Sequence, residues 1–156
     1  MLNYFKILLI AMSFYISGGC NSAAHVADPS TLKQGIIGIV VEVSGNQMPS
    51  PDTKPVPPPR IETDLYIYEL TGPGDVISPT PGFYSAINTK LVLKLRSGKD
   101  GAFAAWLNPG SYSIFTKPDS LFYANISDMH GNIAPFHVKK GEITELKVKM
   151  DHNAVY

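Results

Sequence analysis

The stretch Asp100-Gly101-Ala102-Phe103-Ala104-Ala105-Trp106-Leu107-Asn108-Pro109-Gly110-Ser111-Tyr112-Ser113-Ile114-Phe115-Thr116 has the pattern of two β-strands joined by a tight turn. Side chains alternate along a strand, so Phe103, Ala105 and Leu107 share one face and Trp106 lies on the opposite face. In the Asn-Pro-Gly turn, proline presets φ and glycine supplies the positive φ that a tight reversal often needs. The stretch therefore predicts a β-hairpin that buries Phe103.

The strand pattern recurs on both sides of this hairpin. Residues 90–96 alternate so that three leucines share one face and the charged residues share the other. Further strands are predicted at residues 35–43, 61–70, 121–126, 133–138 and 143–150. The chain has 13 prolines, 13 glycines and no long helical period. Seven or eight short strands of this kind predict an all-β, antiparallel β-sandwich over residues 35–151.

The direction of each predicted strand determines where its connections lie. If successive strands alternate in direction, alternate connections fall at opposite ends of the sandwich. One end would then hold residues 71–88, the Asn-Pro-Gly turn and the C-terminus. The other end would hold a proline-rich connection together with Lys99, Lys117, Lys139 and Lys140.

Length and charge limit the possible classes of protein. A chain of 156 residues predicts a single domain. The formal net charge is zero, so the basic surface of a nucleic-acid-binding protein is missing and no nucleic-acid partner is predicted. Cys20 is the one cysteine of the chain, which excludes a disulfide framework within the molecule.

Residues 1–19 have the pattern of a signal peptide. Lys6 and the amino terminus supply positive charge, and residues 7–16 form an uncharged apolar run that is too short to cross a bilayer as a helix. Small residues then precede Cys20. The alternative is a soluble exported protein that is cut after Ala23 or Ala24, in which Cys20 is discarded.

The sequence Ser17-Gly18-Gly19-Cys20 resembles the lipobox of bacterial lipoproteins, with Ser17 where leucine is usual. The resemblance implies cleavage before Cys20, which becomes thioether-linked to diacylglycerol and anchors the protein to a membrane of the bacterial cell envelope. Because Asn21 is not aspartate, it also implies the outer membrane, at its periplasmic face or at the cell surface. Residues 20–34 are small and polar, and they are predicted to form a lipidated tether.

The pattern Gly38-x-Val40, followed by Asp100-Gly101-x-Phe103-x-x-x-Leu107-x-Pro109-Gly110-x-Tyr112, resembles the carboxypeptidase regulatory-like domain. The resemblance covers residues 35–150 and implies a prealbumin-like (transthyretin-like) β-sandwich. Domains of this family are typically non-catalytic accessory or adhesive modules of exported proteins, so the resemblance implies neither an enzyme nor a cofactor. This chain departs from simpler members in two long connections, residues 45–60 and 71–88.

The first of these connections contains six of the 13 prolines. Proline cannot donate to a β-ladder and favours polyproline II, which loses little entropy on docking. We therefore predict a partner-binding loop for an envelope protein or a glycan, formed by Met48, Pro49, Pro51, Pro57, Pro58 and Pro59. A tolerated surface insertion is the alternative interpretation.

Catalytic patterns are weak in this sequence. The histidines His25, His130, His137 and His152 have no metal-ligand spacing, and there is no glycine-rich phosphate loop. We therefore predict no cofactor, no metal site and a non-enzymatic, membrane-anchored envelope lipoprotein that binds or scaffolds a partner. The alternatives are a small metal-dependent or hydrolytic enzyme on a prealbumin-like fold, and an accessory subunit of an envelope uptake or secretion complex.

Overall fold

The computed structural model describes residues 24–48 and 56–156, and none of these residues lies in an α-helix. The fold is all-β and sandwich-like, with one short 3-10 helix at Pro73–Asp75. The strands are β1 (Ala24–Val26), β2 (Gly35–Asn46), β3 (Asp64–Glu69), β4 (Val76–Ile77), β5 (Phe83–Tyr84), β6 (Ala86–Ile87), β7 (Leu91–Arg96), β8 (Ala102–Leu107), β9 (Gly110–Thr116), β10 (Phe122–Tyr123), β11 (Pro135–Val138) and β12 (Ile143–Val155).

Two main sheets enclose the core. The smaller sheet has the order β1-β8-β2-β12, and the larger has the order β5-β10-β9-β3-β7, with β11 also paired to β9. Strands β4 and β6 form a separate two-stranded sheet. The core lies between the main sheets, because fully buried side chains come from both of them, such as Ile36 and Leu107 from the smaller sheet and Leu65 and Ile67 from the larger. The predicted all-β class is thereby confirmed.

The predicted hairpin at residues 102–116 is correct in its strands and wrong in their pairing. Strand β8 pairs with β1 and β2, whereas β9 pairs with β3, β10 and β11, so the Asn-Pro-Gly turn joins the two sheets. The apolar faces of both strands meet across the core. Phe103 is buried there, as predicted, and Trp106 on the other face of β8 is half-buried. A turn sequence alone does not distinguish strands that pair from strands that pack face to face.

The prediction of a wholly antiparallel sandwich is wrong for one pair of strands. Strand β12 runs parallel to β2, with Ile143 opposite Gly35 and Val155 opposite Asn46. The cause lies before β12 in the chain, where successive strands no longer alternate in direction. Strands β10 and β11 both pair antiparallel with β9, so they run in the same direction. The short strand β10, which covers two residues of the six predicted, leaves room on one side of β9 for both segments.

The sandwich therefore has two ends that we name by the termini of β2. The Gly35 end holds the turn at residues 108–110 and the connection at residues 139–142, because Gly35 lies opposite Ile143. The Asn46 end holds the C-terminus and the proline-rich connection.

This arrangement corrects the predicted grouping of lysines. Lys99 precedes β8 and Lys117 follows β9, so both lie at the Asn46 end, as predicted. Lys139 and Lys140 were predicted at that end as well, and they lie at the Gly35 end instead.

The segment predicted as a tether, residues 20–34, is partly a strand. Residues 24–26 form β1 and pair with β8, with Ala24 opposite Leu107 and Val26 opposite Ala105. His25 lies opposite Trp106, and their rings stack with centroids 5.5 Å apart. The folded unit thus begins before Gly35, because residues 24–26 belong to the smaller sheet. No strand pattern was visible because three residues are too few for a period.

The second long connection, residues 71–88, packs on the outer face of the larger sheet. Phe115 lies on that face and is nevertheless fully buried, with the rings of Tyr68 and Tyr84 edge-on to it at 5.7 and 5.6 Å. The backbone nitrogen of Thr71 donates to the buried Ser113 hydroxyl at 3.0 Å. This connection is therefore packed structure rather than a free loop.

Candidate functional site

The structure describes only some of the residues predicted for the partner-binding loop. Cys20, Pro49 and Pro51 lie outside the described residues. Met48 follows β2 and is 61 % exposed. Pro57 and Pro59 are exposed and Pro58 is half-buried. The side chain beside them, Val56, is 84 % exposed, so the described flanks of the connection present apolar groups to solvent.

The end of the proline-rich connection is fixed against the smaller sheet. The backbone nitrogen of Glu42 donates to the carbonyl of Pro59 at 2.9 Å, and the nitrogen of Ile61 donates to the carbonyl of Val40 at 3.2 Å. The nitrogen of Val40 donates to the carbonyl of Gly101 at 2.9 Å. Because the amide and carbonyl of one strand residue point to the same side, residues 59–61 continue the smaller sheet on the side where β8 lies.

An apolar groove of about 630 Å³ adjoins this point. Ile36 and Val40 of β2 are buried in the core, so Ile37 and Ile39 lie on the outer face of the smaller sheet. The groove is lined by Val26, Ala27, Pro29, Ile37, Gly38, Ile39, Leu95, Arg96, Ala102, Phe103, Ala104, Glu145 and Leu146. Since Ala102 directly follows Gly101, one end of the groove lies beside the proline-rich connection.

The lining of the groove is mostly apolar. Arg96 and Glu145 are the charged residues among those that line it. The guanidinium of Arg96 is engaged with Glu62 at 3.1 Å and with Asp64 at 3.2 Å. A groove of this composition suits apolar side chains of a partner, with polar contacts at its margin.

A second cluster lies at the Asn46 end, around the carboxylate of Asp151. Its Oδ1 accepts hydrogen bonds from the Tyr123 hydroxyl at 2.6 Å and from the Asn125 amide at 3.3 Å. Its Oδ2 accepts a bond from the hydroxyl of Tyr156 at 3.0 Å. These bonds join β10 and the final residue of the chain to the C-terminal part of β12.

The electrostatics of this cluster favour a charged Asp151 and a neutral Tyr123. Burial would raise the pKa of Asp151, but hydrogen bonds from Tyr123, Tyr156 and Asn125 outweigh it and hold that pKa below its usual value. Burial, together with the bond to Asp151, raises the pKa of Tyr123. The arrangement therefore stabilises a carboxylate that accepts three hydrogen bonds and fastens the end of the chain.

No local sequence pattern indicates this cluster. Tyr123 and Asp151 are 28 residues apart and belong to different sheets. His152, beside Asp151, is half-buried and its ring lies 5.3 Å from that of Tyr123. Only the pairing of β10 with β5 and the extension of β12 beyond residue 150 bring these side chains together, and neither follows from a local pattern.

The other three histidines occupy separate places. His25 stacks on Trp106, His137 bonds to the Ser111 hydroxyl at 3.0 Å, and His130 lies in an exposed turn. Within residues 24–48 and 56–156, no three His, Cys, Asp or Glu side chains are grouped so that they could hold a metal ion. No helix formed by the described residues is long and apolar enough to cross a membrane.

Comparisons of the chain with protein-family models, with curated proteins and with solved structures found no match.

Proposed function

We propose that this chain is a bacterial envelope lipoprotein, anchored through Cys20, whose carboxypeptidase regulatory-like domain binds another envelope component without catalysing a reaction. The observation on which the proposal rests most is the position of β1. Strand β1 begins at Ala24, so residues 21–23 alone separate it from the cysteine at the end of the leader. Cleavage before Cys20 leaves the whole strand in place, as would a cut after Ala23, whereas a cut after Ala24 would remove its first residue.

The link between Cys20 and the domain is short. Four Cα-to-Cα steps connect Cys20 with Ala24, and they extend over at most roughly 14 Å. Diacylglycerol and a further acyl chain on Cys20 would bury many methylene groups, each of which contributes about 0.8 kcal/mol to membrane binding. Such an anchor would keep the folded domain at the membrane surface.

The positions of the motif residues support the proposed family. A Cβ at Gly38 would lie 2.5 Å from Cζ of Phe103, so a glycine is needed where the Phe103 ring crosses β2. Gly101 has a φ of +73°, and it approaches the backbone of Val40 closely. The hydroxyl of Tyr112 donates to the carbonyl of Asn108 at 2.9 Å across the turn. Gly38, Gly101 and Tyr112 of the pattern thus each have a structural reason in a two-sheet sandwich.

The apolar groove and the proline-rich connection beside it support a binding role. Val56 and Met48 expose apolar side chains at the Asn46 end, and the groove offers an apolar surface that is lined by the smaller sheet together with Leu95 and Arg96 of β7. We propose that a partner protein or glycan of the envelope contacts both. A proline-stiffened segment loses little conformational entropy when such a partner docks.

Site-specific photo-crosslinking tests this binding role. A benzoylphenylalanine at Val56 should give a discrete crosslinked product in intact envelopes, because this side chain lies in the proposed contact surface. The matched control is the same residue at Met129, which is 93 % exposed in a turn that precedes β11. Absence of a product at Val56, or the same product from both positions, would contradict the proposed binding surface.

A further inference from the structure

We infer that the Gly35 end of the sandwich is a membrane-docking surface, on which Lys33, Lys139 and Lys140 contact the headgroups of anionic phospholipids. The inference rests on the proposed lipid anchor at Cys20. It adds a second, electrostatic contact that orients the domain and turns the Asn46 end away from the bilayer.

The structure places the three lysines beside the point where the anchor joins the domain. Ala24, the first residue of β1, lies opposite Leu107. The side chain of Gln34 bridges this point to the turn at residues 139–142: its amide nitrogen donates to the carbonyl of Leu107 at 2.8 Å, and its oxygen accepts from the nitrogen of Gly141 at 2.9 Å. Lys33 directly precedes Gln34, and Lys140 directly precedes Gly141.

Charge distinguishes the two ends of the sandwich. Lys33, Lys139 and Lys140 are exposed, and Lys139 forms an ion pair with Glu142 at 3.8 Å. In two described turns at the Asn46 end, positive charge is matched by negative charge, because Lys99 is followed by Asp100 and Lys117 by Asp119 two residues on. A local excess of lysine favours a surface with negative potential.

The larger sheet supplies one more cation and one more anion at the same end. Lys90 precedes β7, and its carbonyl accepts from the nitrogen of Glu69 at 3.0 Å, so one residue of each charge lies side by side there. The excess therefore lies on the side of the smaller sheet, which is the side that β1 joins to the anchor.

The length of the chain before β1 brings this surface to the membrane. Residues 21–23 span at most roughly 14 Å between Cys20 and Ala24, so the Gly35 end stays close to the headgroups in every orientation of the domain. The Debye length is about 8 Å at physiological ionic strength, and attraction between lysines and anionic lipids acts over that range. The lipid anchor therefore keeps Lys33, Lys139 and Lys140 close to the phospholipid headgroups.

Depth-dependent fluorescence quenching tests the inference on the full, lipidated chain in vesicles. Asn108→Cys places a single thiol for a fluorophore at the Gly35 end, and Lys99→Cys places one at the Asn46 end; both residues are exposed. With lipids that carry a headgroup quencher in phosphatidylglycerol vesicles, we expect several-fold stronger quenching at position 108 than at position 99. Lys33→Gln, Lys139→Gln and Lys140→Gln together should reduce that difference. Lys117→Gln, Lys147→Gln and Lys149→Gln, which remove the same charge elsewhere, should leave it unchanged.

The possible outcomes distinguish a missing lipid anchor from a missing docking surface. The mass of the purified chain is measured first, and a chain without lipid contradicts the proposed function and this inference together. A lipidated chain with equal quenching at both positions contradicts the docking surface alone. Equal effects of the two triple substitutions contradict the role of the three lysines.

Discussion

At the scale of single residues, Gly38 is the clearest constraint in the sandwich. It lies opposite Phe103 in the pairing of β2 with β8, and a Cβ at this position would meet both the Phe103 ring and the carbonyl oxygen of Leu146. The glycine therefore permits a large aromatic ring to lie flat across the strand in the core. The sequence pattern placed a glycine in the first strand, and the reason for it became visible only with the register.

Gly38→Ala should lower the free energy of unfolding by about 1–3 kcal/mol, the usual cost of overpacking a core. Gly74→Ala is the control, because a Cβ at that position has no neighbour within 4 Å. Urea titration measures both. If Gly74→Ala lowers the free energy of unfolding as much as Gly38→Ala does, crowding against Phe103 is not the cause of the destabilisation.

A pH dependence follows from Asp151. The folded state holds the pKa of this carboxyl below the value of about 3.9 that it has in an unfolded chain, chiefly through the hydrogen bond from Tyr123 against the opposing effect of burial. As the pH falls, the unfolded state therefore binds the proton first. The stabilisation is present above about pH 4 and is lost as the pH falls further toward the folded pKa.

Asp151→Asn should accordingly destabilise the domain at pH 7 and make less difference below about pH 4. Thermal unfolding at several pH values measures this, with the exposed turn residue Asp119→Asn as control. If the difference between wild type and Asp151→Asn stays constant down to pH 2.5, the hydrogen bonds to the carboxylate are not its source.

At the scale of the elements, the positions of the strands could be predicted from the alternation of apolar and polar residues, whereas the pairing of the strands could not. Phe103 and Leu107 face the core as their spacing predicted, and β8 and β9 have nearly the predicted bounds. Their assignment to different sheets depends on which neighbours each strand finds, and the turn residues carry no information about that. For the same reason, the pairing of β1 and the Asp151 cluster could not be predicted, because both depend on contacts between distant segments.

The pairing of β1 with β8 can be measured directly because Trp106 is the one tryptophan of the chain. His25 stacks on its indole ring at 5.5 Å, so His25→Ala should expose the ring and shift its fluorescence emission to longer wavelength. His137→Ala, which alters an exposed histidine on the other sheet, should leave the emission unchanged. An unchanged spectrum of His25→Ala would mean that β1 does not cover Trp106 in solution.

At the scale of the whole molecule, the break in strand alternation at β10 and β11 determines what each end presents. Because β10 and β11 run in the same direction, β12 starts at the Gly35 end and runs parallel to β2. Lys139 and Lys140 thereby come to lie beside β1 and the proposed anchor. The proline-rich connection and the C-terminus share the opposite end. A sandwich built in this way separates the proposed membrane-facing surface from the proposed partner-binding surface.

The proposed account depends above all on the mature amino terminus. Mass spectrometry of the chain isolated from its native membranes measures that terminus together with any attached lipid. We predict that residues 1–19 are absent and that the first residue is Cys20 with diacylglycerol on its sulfur, a modification that Cys20→Ala abolishes. A mature chain that begins at Ala24 or His25 without lipid would contradict the anchored lipoprotein and, with it, the membrane-facing role of the Gly35 end.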